Sequence, residues 1–147
     1  MNIKIEKMTK KHLEEIKDIL KEEFDEFWTD NVLEKELENP LSDYIAAIEN
    51  GKVVGYAGIW QPIDEAHITN IVTKKDKRGN HIGARMLEEI INLAKNKNLK
   101  SVTLEVNEHN EIAIRLYKKY NFVELGKRSK YYNNTDDAII MTLEFEK

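Results

Sequence analysis

The order strand, glycine turn, helix, strand in the middle of the chain constrains its fold more than any other feature. "HITNIV" reads as an apolar strand, and "RGNHIG" (78–83) follows it and opens the helix-like run "ARMLEEIINLAKN". From Ile82 the apolar positions Met86, Leu87, Ile90, Ile91 and Ala94 keep a helical stripe that ends near Asn98. "SVTLEVN" then alternates cleanly as a strand, with Val102, Leu104 and Val106 on one face and Thr103, Glu105 and Asn107 on the other. Together these pieces make a strand–helix–strand crossover, the core unit of a mixed α/β chain.

The flanks extend this plan. "NIKIEKM" alternates as a short strand, and Thr9 is placed to cap one amphipathic helix through Leu13, Ile16, Ile19, Leu20 and Phe24. Phe27 and Trp28 follow, then a short helix through Val32, Leu33 and Leu37 that stops near Asn39 and Pro40. "YIAAIENGKVVGYAGIW" is a hairpin turning at Asn50 and Gly51, and "EAHITNIVT" adds a strand after the turn at 61–65. Residues 111–120 read as a helix, and "FVELGKRSKYY" and "DAIIMTLEF" as two closing strands around the polar turn at 133–136. At 147 residues, with 41% apolar and 34% charged side chains, the expectation is one compact domain over 1–147.

With no cysteine, disulfides, thiolate zinc sites and a cysteine nucleophile are excluded. The start, "MNIKIEKMTKK", has no apolar block of signal-peptide length, so a cytoplasmic location is expected. The net charge of −4 argues against general nucleic-acid binding, but the charge is unevenly spread. Between His12 and Asn39 stand eleven Asp or Glu against three Lys, whereas "KKDKR" (74–78) is strongly basic. The first stretch suits a basic partner and the second an anion, unless both are simply solvated faces.

A glycine turn between strand and helix binds phosphate because backbone N–H groups converge there and the helix N-terminus adds partial positive charge. Gly79 and Gly83 allow close approach; Asn80 and His81 still offer main-chain donors, although His81 brings a Cβ to a place where the chain favours positive φ. No lysine follows the loop in the manner of a P-loop, since Ala84 and Arg85 stand there. Further along, Asn110, Ala113 and Tyr117 fall on one helical stripe, a polar, a small and a hydroxyl-bearing side chain in line. A core aromatic is the plain alternative for Tyr117, and a solvent-facing strand residue for Glu105.

Taken in order, "HITNIVT", "RGNHIGARML", "LEV", "NEIAIRLYKKYNF", "GKRSKYY" and "DAIIM" resemble the GNAT N-acetyltransferases, and among them the ribosomal-protein alanine N-acetyltransferases of the RimI type. The resemblance covers nearly the whole chain. It implies an α/β (α+β) GNAT fold: a mixed, mostly antiparallel twisted sheet of six to seven strands, flanked by about four helices, with a central splayed strand pair. It implies acetyl-CoA as acetyl donor and no metal. The pyrophosphate would lie on Arg78, Gly79, Asn80, His81, Ile82, Gly83 and Ala84, with the backbone of Ile71, Val72 and Thr73 beside the pantetheine arm and Asn110 and Tyr117 also touching the cofactor. Glu105 would be the general base and Tyr117 the general acid, both facing one cleft between the strand ending near Asn107 and its neighbour ending near Thr73. The implied acceptor is a protein or peptide N-terminus, that of a basic ribosomal protein; the protein itself is expected to be a monomer or weak dimer, with no role for nucleic acid or membrane. A lysine or small-molecule amine as acceptor, and a coenzyme A-binding module without turnover, are the alternatives. Departures from the family pattern are His81 for a glycine, Asn107 for an arginine, Phe27 for a proline and Asp136 for a glutamate.

Overall fold

The computed structural model describes residues 2–26, 28–132 and 136–145, with no account of the side chains of 130–132. Phe27 and most of the turn expected at 133–136 therefore lie outside the described residues. Seven strands form one sheet in the order β1-β2-β3-β4-β5-β7-β6. They are β1 (Ile3–Lys7), β2 (Ser42–Glu49), β3 (Lys52–Trp60), β4 (Glu65–Thr73), β5 (Ser101–Asn107), β6 (Val123–Tyr132) and β7 (Asp136–Glu144). Every neighbouring pair is antiparallel except β4 and β5, which the crossover helix makes parallel.

The helices are α1 (Lys10–Ile16), α2 (Leu20–Phe24), α3 (Asp30–Glu38), α4 (Ile82–Asn96) and α5 (Glu111–Lys119). The single helix expected from Thr9 to Phe24 is divided: Lys17–Ile19 tighten to a 3₁₀ turn between α1 and α2. Its apolar stripe survives the tightening, since Leu13, Ile16, Leu20 and Phe24 are all buried. Thr9 does start the run, but its N–H donates to Nδ1 of His12 at 2.9 Å. The hairpin turn has positive φ at both Asn50 (52°) and Gly51 (79°), the conformation that matches strand twist and that Asn-Gly tolerates best.

Two apolar cores cover the two faces of the sheet. On one, α4 lays Ile82, Met86, Leu87, Ile90 and Ala94 against Ala57, Ile59, Val102, Leu104 and Val106, joined by Tyr117 and Phe122 from the α5 end. On the other, Leu13, Ile16, Leu20, Phe24 and Leu33 of α1–α3 pack on Tyr44, Ala46, Val53 and Tyr56. Side chains of this size contribute about 1.5–3 kcal/mol each when fully buried. Gly58 is required by the second core: a Cβ there would lie 2.2 Å from the Tyr44 ring. Three strands carry extra residues, the first being Val54 in β3, because Ala47 pairs with Gly55 and Ile48 with Val53. Thr69 is unmatched in β4, because Gly58 pairs with Asn70 and Ile59 with Ile68; Leu125 is unmatched in β6, because Glu124 pairs with Met141 and Gly126 with Ile140. Among the described residues no helix is long and apolar enough to cross a membrane.

Candidate active site

β4 and β5 are paired only at Glu65–Ser101, Ala66–Val102 and His67–Thr103. Past that point β4 runs on to Thr73 held by β3 alone, and β5 runs on to Asn107 held by β7 alone. The sheet splits there, and the Thr69 bulge, which adds local twist and bend to β4, lies at the start of the split. Half of the backbone N–H and C=O groups along Ile71, Val72 and Thr73 consequently face a gap instead of a neighbouring strand.

Register decides which side chains face which side of that gap. Leu104 and Val106 belong to the α4 core, so Glu105 projects from the opposite face. Val72 packs against the α1–α3 core and Asn70 bonds within it, so both share that face with Glu105. Tyr117 is buried with the α4 core, its ring 5.8 Å from that of Phe122. Glu105 and Tyr117 thus leave opposite faces of the sheet. The cleft expected between the strand ending near Asn107 and its neighbour ending near Thr73 lies at the gap between β5 and β4, and the two residues flank that gap from opposite faces.

On the Tyr117 side the loop expected to hold phosphate lies between the end of β4 and α4. His81, the residue before α4, is left-handed at φ 64° and ψ 17°, so the positive φ anticipated for it is real. The first helical bond runs from Arg85 N–H to His81 O at 3.0 Å, which leaves the N–H groups of Ile82, Gly83 and Ala84 without intrahelical partners. A Cβ on Gly83 would approach Thr73 Oγ1 at 3.8 Å, and one on Gly79 would meet nothing within 4 Å. The glycines therefore leave open space beside free main-chain donors at the end of a fifteen-residue helix, which suits a phosphate. Asn80 steadies the loop by donating from Nδ2 to Lys77 O at 3.1 Å.

The basic and acidic stretches meet each other. Lys74 pairs with Glu23 (3.3 Å), Lys75 and Arg78 both pair with Asp25 (3.0 Å each), and Lys77 pairs with Glu49 (2.7 Å). Lys75, and with it Arg78, holds the Asp25 carboxyl below its usual range, while Glu49 holds the Lys77 ammonium above its own. Arg78 also donates from Nε to Thr73 O at 3.2 Å, tying the loop to the end of β4. Two surfaces that look independent in the sequence, one for an anion and one for a basic partner, are joined through Asp25.

Around Glu105, Arg128 of β6 places Nη1 3.5 Å from Oε2, an ion-pair distance, and that oxygen is buried without a hydrogen bond. Asn107 donates from Nδ2 to Asp136 Oδ2 at 3.1 Å, so the two residues that depart from the family pattern at the ends of β5 and β7 bond to one another. Asn110 precedes α5 and accepts from Ala113 N–H at 3.2 Å, a helix cap at an exposed position.

Sequence reasoning missed a buried polar network on the Glu105 face. Glu26 Oε2 accepts from Tyr56 OH (2.5 Å) and Asn70 Nδ2 (2.9 Å), and Oε1 accepts from Trp28 N–H (3.1 Å). Asn70 Oδ1 accepts from Tyr44 OH (2.6 Å), which also lies 3.0 Å from Thr69 Oγ1. Burial pushes both phenols well above their usual range, Tyr56 further because Glu26 accepts its proton in a hydrogen bond. The signal in the sequence was Asn70, a polar residue inside the apolar strand "HITNIVT".

A split sheet with a glycine loop and helix N-terminus on one side of the split defines an acyl-transfer fold, and the family model described as Acetyltransferase (GNAT) family matches residues 13–122. The chain belongs to that family and is an N-acetyltransferase, an enzyme class that takes its acetyl group from acetyl-CoA. Within the family it is similar to a Bacillus subtilis (strain 168) protein named as a candidate [ribosomal protein bS18]-alanine N-acetyltransferase, 39% identical over 116 residues, 78% of this chain and 77% of that one. The [ribosomal protein bS18]-alanine N-acetyltransferase of Escherichia coli (strain K12) is 36% identical over 98 residues, 65% of this chain and 66% of its own. The crystal structure of the ribosomal-protein-S18-alanine N-acetyltransferase from Escherichia coli superposes with a TM-score of 0.90 at 25% identity, covering 99% of this chain and 96% of that one.

Proposed function

We propose that the protein acetylates the N-terminal α-amine of a protein, an alanine at the start of a small-subunit ribosomal protein, with acetyl-CoA as donor. The observation that carries this reading is the split between β4 and β5, with the loop 78–84 and Tyr117 on one side of the sheet and Glu105 on the other. It fits a reaction in which a thioester and an amine arrive from opposite sides. Acetyl transfer needs a neutral amine, a polarised carbonyl and a proton for the departing thiolate. Glu105 takes the proton of the attacking amine, through water, and Tyr117 gives one to the coenzyme A sulfur. Main-chain donors from Gly79 to Ala84 hold the pyrophosphate. The open edge of Ile71, Val72 and Thr73 lies along the pantetheine amides, and Asn110 contacts the same arm. The relatives named for bS18 alanine acetylation support the choice of acceptor.

Acidity favours the same acceptor. A chain-terminal amine has a pKa of about 7.7–8.0 against about 10.4 for lysine, so near neutral pH roughly a tenth or more of the former is uncharged and well under a hundredth of the latter. The test is a short peptide that begins with alanine and carries arginines, assayed by thiol release and mass spectrometry. Acetylation is expected on its α-amine, with a poor reaction from an N-terminally blocked version that keeps a free lysine. Equal rates from the two peptides would make the enzyme a lysine acetyltransferase on the same fold.

A further inference from the structure

We propose that Glu26 is a positioning residue for the acceptor: its buried carboxylate clamps the connection between α2 and α3, with Trp28, onto the bulged part of β4, and so sets the acceptor wall of the cleft. The proposal rests on the reading above in one respect, that the acceptor enters on the Glu105 face. A carboxylate so far from water is costly unless every lone pair finds a donor. Here three donors from three segments converge on it: Tyr56 OH from β3, Asn70 Nδ2 from β4, and Trp28 N–H from the connection itself. None of the three is a neighbouring positive charge, so the group is not placed to neutralise a cation. It is placed to join segments.

The local backbone explains how Glu26 reaches that position. Asp25 is left-handed at φ 55°, so two successive acidic residues diverge: Asp25 turns outward to Lys75 and Arg78, and Glu26 turns inward to only 8% exposure. Trp28 then packs at the edge of the α1–α3 core. Asn70, the partner on β4, follows the extra residue Thr69, where β4 begins to leave β5. The clamp therefore fixes the wall that stands across the gap from Glu105, without touching the reacting atoms.

Glu26→Gln separates the clamp from general stability. An amide oxygen at the Oε2 position can still accept from Tyr56 and Asn70, but its NH₂ then faces Trp28 N–H, donor against donor. The substitution breaks the bond that holds Trp28 and leaves the volume unchanged. In a Trp60→Phe background Trp28 is the sole tryptophan of the two in the chain, so acrylamide quenching reports its release. We expect Glu26→Gln to raise that quenching and to raise the acceptor KM by about tenfold, with kcat within about twofold and acetyl-CoA affinity unchanged by calorimetry. Parent-like quenching overturns the proposal; so does a parent-like acceptor KM, or a fall in kcat at unchanged KM. If the parent enzyme acetylates no peptide, the acceptor reading fails, while the quenching measurement still decides whether Glu26 holds Trp28. Should Glu26→Gln not fold, Tyr56→Phe removes one donor from the same carboxylate and is read by the same measurements, with shifts expected in the same direction.

Discussion

At the scale of single residues, Gly83 and His81 give the loop before α4 its character, and they do so for opposite reasons. Gly83 matters for what is missing: in the first turn of the helix its Cβ would meet only Thr73 Oγ1, at 3.8 Å, among its neighbours outside that helix. Gly83→Asp places both bulk and negative charge there, and calorimetry is expected to show acetyl-CoA binding largely lost. His81 matters for its conformation. His81→Gly removes the left-handed strain of a Cβ residue, worth about 1 kcal/mol, but adds a comparable freedom to the unfolded chain, so thermal stability should hardly move and cofactor binding should persist. The two proposed proton carriers separate by pH. Glu105→Gln should cost most where the amine acceptor is still protonated and recover in part at higher pH, whereas Tyr117→Phe should show little recovery on that limb. Equal and pH-independent losses in initial-rate profiles would assign both residues a structural role instead. The roles expected for Glu105 and Tyr117 rest on the resemblance of "LEV" and the Asn110 stripe to the family pattern, since spacing alone leaves a solvent-facing glutamate and a core aromatic open. Glu26 could not be singled out, because nothing in "KEEFDEF" tells an inward glutamate from the outward ones beside it; the left-handed turn at Asp25 makes the difference, and it arises only when α2 ends.

Elements were legible wherever apolar period and turn chemistry agreed. The hairpin at Asn50–Gly51, α4 and β5 all lie close to their expected bounds. The 3₁₀ interruption within 17–19 was not legible, since it leaves the apolar stripe intact, and the bulges at Thr69 and Leu125 are properties of strand pairs that no single strand records. The polar network across β2, β3 and β4 gives these elements a measurable pH signature. Tyr44 and Tyr56 have folded-state pKa values raised above the usual value near 10, so the unfolded state loses their protons first as pH rises. Their contribution to stability is complete below about pH 10 and declines above it, toward the higher folded-state values. Melting temperature followed from pH 8.5 to 11 should fall more steeply for the parent than for a Tyr44→Phe/Tyr56→Phe double variant at the alkaline end, and these two of the six tyrosines should resist titration at 295 nm until the fold is lost.

For the molecule as a whole, the architecture followed from the strand–helix–strand crossover, while the arrangement of charge did not. Composition puts the acidic surplus at 12–39 and the basic cluster at 74–78, but only the folded chain reveals that Glu23 and Asp25 answer Lys74, Lys75 and Arg78. On the proposed acceptor reading, steering of a basic peptide would be reduced and not abolished, because several acids of α1–α3 lie outside these pairs. Raising ionic strength from about 0.1 M to 1 M shortens the screening length from about 10 Å to 3 Å. The specificity constant for an arginine-bearing peptide should fall severalfold over that range, mostly through KM, while a neutral peptide of the same length changes little. A salt-insensitive basic peptide would remove electrostatic steering from the account.

The two outer strands of the sheet bear on how the protein behaves at high concentration. A bare strand edge is a template on which another chain can crystallise its own backbone bonds, and both edges here are poor templates. β1 has five residues and includes Lys4 and Lys7. β6 is long and exposes Val123 and Leu125, but the unmatched Leu125 throws its donors and acceptors out of step, and its register shifts again between Arg128 and Tyr132. An insertion that looks like a defect in strand pairing thus works as protection against ordered aggregation, at the place where exposed leucine and valine would otherwise invite it.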